Sequence, residues 1–81
     1  MTYGRGLGAN LRRARIEKGI TQEELADRSG MHPTAISKLE RGETIPRADT
    51  LHRLADILDS TAGALLPHMR WDEERGEFVT L

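Results

Sequence analysis

The chain of 81 residues is enough for one small domain, and its core must be built efficiently. The absence of cysteine excludes disulfides and thiolate metal sites and agrees with a reducing cytoplasm, while no apolar run is long enough to span a membrane or to act as a signal peptide. A formal net charge of -1 argues mildly against nucleic acid, but nine Lys and Arg face six Asp and Glu through Arg47, and three face seven from Ala48 onward, so that one end suits a polyanion and the other avoids it.

Residues 1–8 hold three glycines, one tyrosine and one arginine, and read as a flexible N-terminal arm whose Arg5 is free to touch a phosphate or enter a minor groove. A helix is expected from Ala9 or Asn10 to about Lys18, with Leu7, Leu11 and Ala14 inward, Arg12 and Arg13 outward, and Gly19 as the stop. Ile16 lies off the inward face and is expected to be partly exposed or covered by the C-terminal segment. Thr21 with Glu24 three positions on forms a capping box, so a second helix starts at Gln22 and ends at Ser29-Gly30. Met31 and His32 make a turn, and Pro33 suits the first position of a third helix, 33–41, closed by Gly42. Ile36 and Leu39 face inward, whereas Thr34, Ser37, Lys38 and Arg41 offer hydroxyl, ammonium and guanidinium donors outward, groups suited to base edges and phosphates. Two short helices around a Gly-containing turn are the outline of a helix-turn-helix.

Beyond Gly42, Ile45-Pro46 is expected to anchor a loop to the core, and Arg47, a cation at a helix N-terminus, is better explained by a phosphate partner than by the dipole. Leu51, Leu54, Ala55 and Leu58 recur at i, i+3, i+4 and i+7 and mark an amphipathic fourth helix, with Asp49, His52, Arg53, Asp56 and Asp59 as its solvated face. A short fifth helix begins after Thr61 and ends before Pro67, with Ala62, Leu65 and Leu66 available to pack or to dimerise. In residues 67–81, Trp71 and Phe78 flank an acidic centre, and the segment reads either as a hairpin turned at Arg75-Gly76 or as a frayed tail.

The strings TQEELA, ISKLERG and IPRADTLHRLADIL, with Thr21-Gln22, Ala26, Gly30, Ile36, Leu39 and Gly42 in register, resemble the Cro/CI-type helix-turn-helix family, also called XRE-like, over about Leu7 to Leu66. The resemblance implies an all-α, compact five-helix lambda-repressor-like domain at 9–66, followed by the extension 67–81 with its hairpin or strand. It implies sequence-specific binding to double-stranded DNA by a cytoplasmic transcriptional regulator, a homodimer on a palindromic operator. His32, Pro33, Thr34, Ser37 and Lys38 would meet base edges, and Arg12, Gln22, Arg41 and Arg47 the backbone. Gln22 also has a physical warrant, since it opens a helix whose N-terminus attracts anions. Arg15 would pair with Glu40, and Ala62, Leu65, Leu66, Trp71 and Phe78 would serve dimerisation.

The chain departs from the family where many relatives carry glutamine or arginine, because Pro33 and Thr34 cannot make bidentate contacts. Lys38 is then the main direct reader and DNA shape carries more of the specificity. The alternative function is a protein-interaction regulator, such as an antitoxin that binds a partner through the C-terminal extension and autoregulates its operon. No nucleophile-base pair, phosphate loop or metal-ligand spacing appears, so neither an enzyme nor a cofactor or metal is expected; His52 and Asp56, one turn apart, lack a third ligand. The short extension leaves no room for a sensing domain, so regulation is expected through concentration and dimerisation, as in phage switch proteins or restriction-modification controllers.

Overall fold

The computed structural model describes residues 2–81, in which five helices are followed by one antiparallel hairpin. Helix α1, Tyr3–Lys18, begins six residues earlier than its apolar pattern indicates. The Thr2 hydroxyl caps it by accepting from the Arg5 N–H, and Gly19 closes it in the left-handed region at φ 78°. The expected arm is therefore helical from Tyr3, and Arg5 lies in the first turn rather than on a free strand of chain; Met1 lies outside the described residues.

The reason is packing. Gly4 and Gly8 are buried one turn apart, and a Cβ on Gly8 would lie 2.6 Å from the Glu40 carbonyl oxygen and closer still to that of Leu39, while one on Gly4 would lie 2.9 Å from the Gly42 oxygen. The two glycines allow the start of α1 to lie directly on the backbone that ends the third helix. Helix propensity alone counts each as a cost of about 1 kcal/mol; the close approach is what a side chain would forbid.

Helices α2, Gln22–Ser29, and α3, Pro33–Glu40, follow the expected signals, including the Thr21–Glu24 capping box and a left-handed Gly30 at φ 72°. Helix α4, Ala48–Ile57, buries Leu51, Leu54 and Ala55, and α5, Ala62–Leu65, is capped by the Thr61 hydroxyl. One core joins all five helices, with Leu11, Leu25, Ile36, Leu54 and Leu65 its most enclosed side chains.

Three expectations for side chains are corrected. Ile45 does not anchor its loop: it is 61% exposed, and only Pro46 beside it is half-buried. Leu65 is 1% exposed, so it is spent on the core and is not available to a second subunit; Ala62 and Leu66 are half-buried. The outer face of α4 is not merely solvated, since Arg53 donates to the Ser29 carbonyl at 2.9 Å and ties α4 to the end of α2. Lys18 likewise bridges α1 to Asp59, a residue at φ 53° just past α4, and this ammonium holds the Asp59 carboxyl below its usual range. Ile16 is exposed, in a shallow groove lined by its own helix, and is not covered by the tail.

The hairpin pairs β1, Met69–Asp72, with β2, Glu77–Thr80, in the register Met69↔Thr80 to Asp72↔Glu77. The Asp72 carboxylate accepts from the Glu74 and Arg75 N–H groups across the turn, and Gly76 takes the positive φ of 65° that the reversal needs. Phe78 seats the hairpin on the start of α1 by stacking against Tyr3, with ring centres 5.3 Å apart.

Candidate nucleic-acid interface

Helix α3 has one face in the core, through Ile36 and Leu39, and one face in solvent. Its far end is fixed by a polar cluster. Arg15 Nε and Nη2 donate to the two Glu40 carboxylate oxygens at 2.6 and 3.0 Å, a bidentate pair, and Arg15 Nη1 donates to the Ile20 carbonyl at 2.9 Å. Gln22 Nε2 adds a third donor to Glu40 at 3.1 Å. The Glu40 side chain is 2% exposed and its carboxylate is fully partnered, while the hydrogen bonds from Arg15 hold that guanidinium above its usual pKa. A buried carboxylate with this many donors is held in one orientation.

The near end is bare. His32 is the N-cap of α3, and its Nδ1 accepts from the Thr34 N–H at 3.1 Å. A ring nitrogen that accepts has a free lone pair, so the proton of the neutral ring sits on Nε2, the nitrogen facing away from the helix. His32, Pro33 and Thr34 are exposed, as is Lys38 one turn on, and among the described residues Lys38 has no ion-pair partner. Ser37 is half-buried; its hydroxyl accepts from Arg41, whose guanidinium also pairs with Glu43. Ser37 and Arg41 therefore hold each other, and Glu43 is an acid at this face that outward spacing alone did not reveal.

The other cations expected on the DNA backbone, Arg12 and Arg47, are both exposed. Arg47 is the N-cap of α4 without a side-chain cap bond, and 88% of its side chain is exposed, 3.6 Å from Asp49. Arg12 is exposed on α1. Gln22 opens α2 but is half-buried and already bonded to Glu40, so its amide serves the fold as well as facing the α2 N-terminus. No hydrogen bond or ion pair among the described residues links 67–81 to α3, and the acidic hairpin leaves its outer face uncovered. Trp71 and Phe78 lie in the hairpin, 53% and 46% exposed.

Among the described residues no group of three His, Cys, Asp or Glu is placed to hold a metal, and no helix is long and apolar enough to cross a membrane. What α3 presents is a short rod of hydrogen-bond donors and one apolar ring on a rigid base, with Lys38 and Arg41 exposed in its last turn and at its C-cap. That arrangement is able to enter a groove lined with acceptors and bordered by phosphates.

Comparison with known proteins agrees with this geometry. The chain is 48% identical over 52 residues to the uncharacterized HTH-type transcriptional regulator y4dJ of Sinorhizobium fredii, covering 64% of this chain and 68% of that protein. It is 36% identical over 70 residues to the control protein C.SmaI of Serratia marcescens, covering 86% and 83% respectively. The restriction-modification controller C.AhdI of Aeromonas hydrophila superposes with a TM-score of 0.73 at 32% identity, over 76% of this chain and 94% of that one. A longer protein, HppE, contains the same fold including the hairpin: at 26% identity and a TM-score of 0.80 it covers 100% of this chain with 46% of its own. The helix-turn-helix family model matches residues 11–65. On that match and those relatives, the chain belongs to the XRE-type helix-turn-helix family.

Proposed function

We propose that this protein is a cytoplasmic, sequence-specific regulator of transcription that binds double-stranded DNA as a dimer on a palindromic operator. The observation that carries the reading is the contrast within α3: its inner face and far end are locked, and its N-terminal end is exposed and rich in donors. Lys38 donates to guanine O6 and N7, Thr34 and Ser37 are secondary readers, His32 offers its Nε2–H, and Pro33 packs on a thymine methyl. Reaching a base costs Ser37 its bond to Arg41, which then turns to a phosphate. Arg12, Gln22 and Arg47 hold the backbone, Gln22 from the α2 N-terminus. With one strong base donor on the helix, a large share of the specificity falls to DNA shape.

The relatives support regulation in place of enzymatic chemistry, two of them being a transcriptional regulator and a control protein by name. The exposed Trp71 and Phe78 favour a protein contact as well, either a second copy or a separate partner as in an autoregulating antitoxin. Selection of bound sequences from a random duplex pool with the purified protein tests the whole reading. Inverted half-sites with centres about 34 Å apart, one helical turn, support a dimer; a single unsymmetrical site removes the dimer, and no enrichment at low salt removes DNA recognition.

A further inference from the structure

Among the described residues the hairpin is a two-stranded ribbon with both edges unpaired. Leu81 N–H donates to the His68 carbonyl at 3.2 Å, which sets the alternation along the register. Arg70–Val79 and Asp72–Glu77 exchange main-chain bonds, so the N–H and C=O groups of Met69 and Trp71 point away from β2. On the β2 side, the strand borders a cleft shared with Thr2 and Arg5 at the start of α1. Beyond β1, Trp71 is half exposed, and among the described residues the outward main-chain groups of Met69 and Trp71 have no partner. An open edge of this kind is a template for another strand.

We infer that β1 pairs antiparallel with β1 of a second copy, across a two-fold axis at Trp71. Charge selects this register from the others that the outward groups permit. An axis at Trp71 sets Arg70 opposite the partner's Asp72 and Asp72 opposite the partner's Arg70, at the wide positions where facing side chains are closest. An axis at Arg70 opposes two arginines, and one at Asp72 opposes two aspartates. An axis at Met69 places Trp71 against Pro67, which has no N–H to give.

The side chains are prepared for the pairing. Arg70 is exposed and has no bond or ion pair among the described residues. Asp72 uses Oδ1 for the turn amides at 3.0 and 3.1 Å, while its Oδ2 is only 3.8 Å from Arg75 and makes no hydrogen bond. On the opposite face Trp71 meets Phe78 edge to face at 5.2 Å, and Phe78 meets Tyr3. Residues facing across a sheet share a side, so the axis joins two such rows into a continuous line of six rings, burying the largest exposed aromatics. The same pairing turns a marginal two-stranded ribbon into a four-stranded sheet.

The inference rests on the dimer reading above and specifies its contact. The native chain has no cysteine, so Arg70→Cys and Asp72→Cys chains report the register directly when mixed under oxidising conditions. The mixed pair crosslinks and neither variant crosslinks with itself. In sedimentation equilibrium without DNA the native chain dimerises, and Arg70→Glu raises the dissociation constant about tenfold by turning two attractive pairs into repulsive ones. Because Asp72→Cys also removes the turn acceptor, amide exchange of the native chain is a second readout: the Trp71 N–H, open in the single chain, gains protection as concentration rises, and gains more than the Arg70 and Asp72 amides already bonded within the hairpin. Self-crosslinking of Arg70→Cys, or a dimer indifferent to Arg70→Glu whose Trp71 exchange is independent of concentration, overturns this contact and leaves the dimer reading standing. A monomer both free and on the selected DNA overturns both.

Discussion

The two ends of α3 live in opposite surroundings. At Leu39–Gly42 the helix ends against the bare backbone of Gly4 and Gly8 and a buried carboxylate held by Arg15 and Gln22. At His32–Thr34 there is one capping bond, from the Thr34 N–H to a ring nitrogen of His32, and then solvent. The difference teaches how a helix of 8 residues serves as a reading head: so short a helix is not stable alone, so rigidity is supplied at one end and access at the other. Substitutions in the buried cluster at the far end should act on stability, and those on the outward face of the helix on recognition.

Gly8→Ala breaks the far end most severely. Alanine is the better helix former by about 1 kcal/mol, yet its methyl would meet two carbonyl oxygens, and a thermal melt should show a loss of at least about 3 kcal/mol. Gly63→Ala in α5, where the nearest atom is 4.0 Å away, is the control and should be neutral or slightly stabilising. Next comes Arg15→Ala, which strands the Glu40 carboxylate with one amide partner and should cost about 3 kcal/mol, against under about 0.5 for exposed Arg12→Ala; equal melting shifts would refute the division.

On the outward face of α3 the order of effects reverses. Lys38→Ala should leave the melt unchanged while costing roughly 1 to 3 kcal/mol of binding and relaxing one base position, whereas Arg41→Ala should weaken all sequences alike and lower the salt slope by about 1. An unchanged sequence preference in the Lys38 variant would remove it as a reader. At the N-terminal end of α3 only the cap bears on stability: His32→Ala should cost about 1 kcal/mol, and His32→Ser, which restores an acceptor, should recover most of it in the same melt.

What was legible in the chain follows the range of the interaction. Thr21 with Glu24, Gly30 and Pro33 act on neighbours within a few residues, and their spacing alone placed both helices of the motif. The start of α1 was illegible because Gly4 and Gly8 owe their burial to carbonyls more than thirty positions away; nothing local distinguishes a glycine that loosens a chain from one that admits a close neighbour. Ile45 and Leu65 were misplaced for the same reason, since an apolar residue does not announce which surface it meets. His32 as a cap was missed because its ring nitrogen does the work usually done by a hydroxyl or carboxylate. Outward spacing brought Ser37, Lys38 and Arg41 to one face, but it could not tell that the first and last are bonded to each other and that, among the described residues, only Lys38 of the three is without a side-chain partner.

The central claim is that nucleic acid meets the exposed end of α3. Titrating the isotope-labelled protein with duplex DNA and following its backbone amides tests this directly, even before an operator is known. The largest shifts are predicted at His32, Thr34, Ser37 and Lys38, with smaller ones at Gln22 and Arg47 and none specific to the hairpin. Shifts confined to 69–80, with α3 silent, would contradict the account.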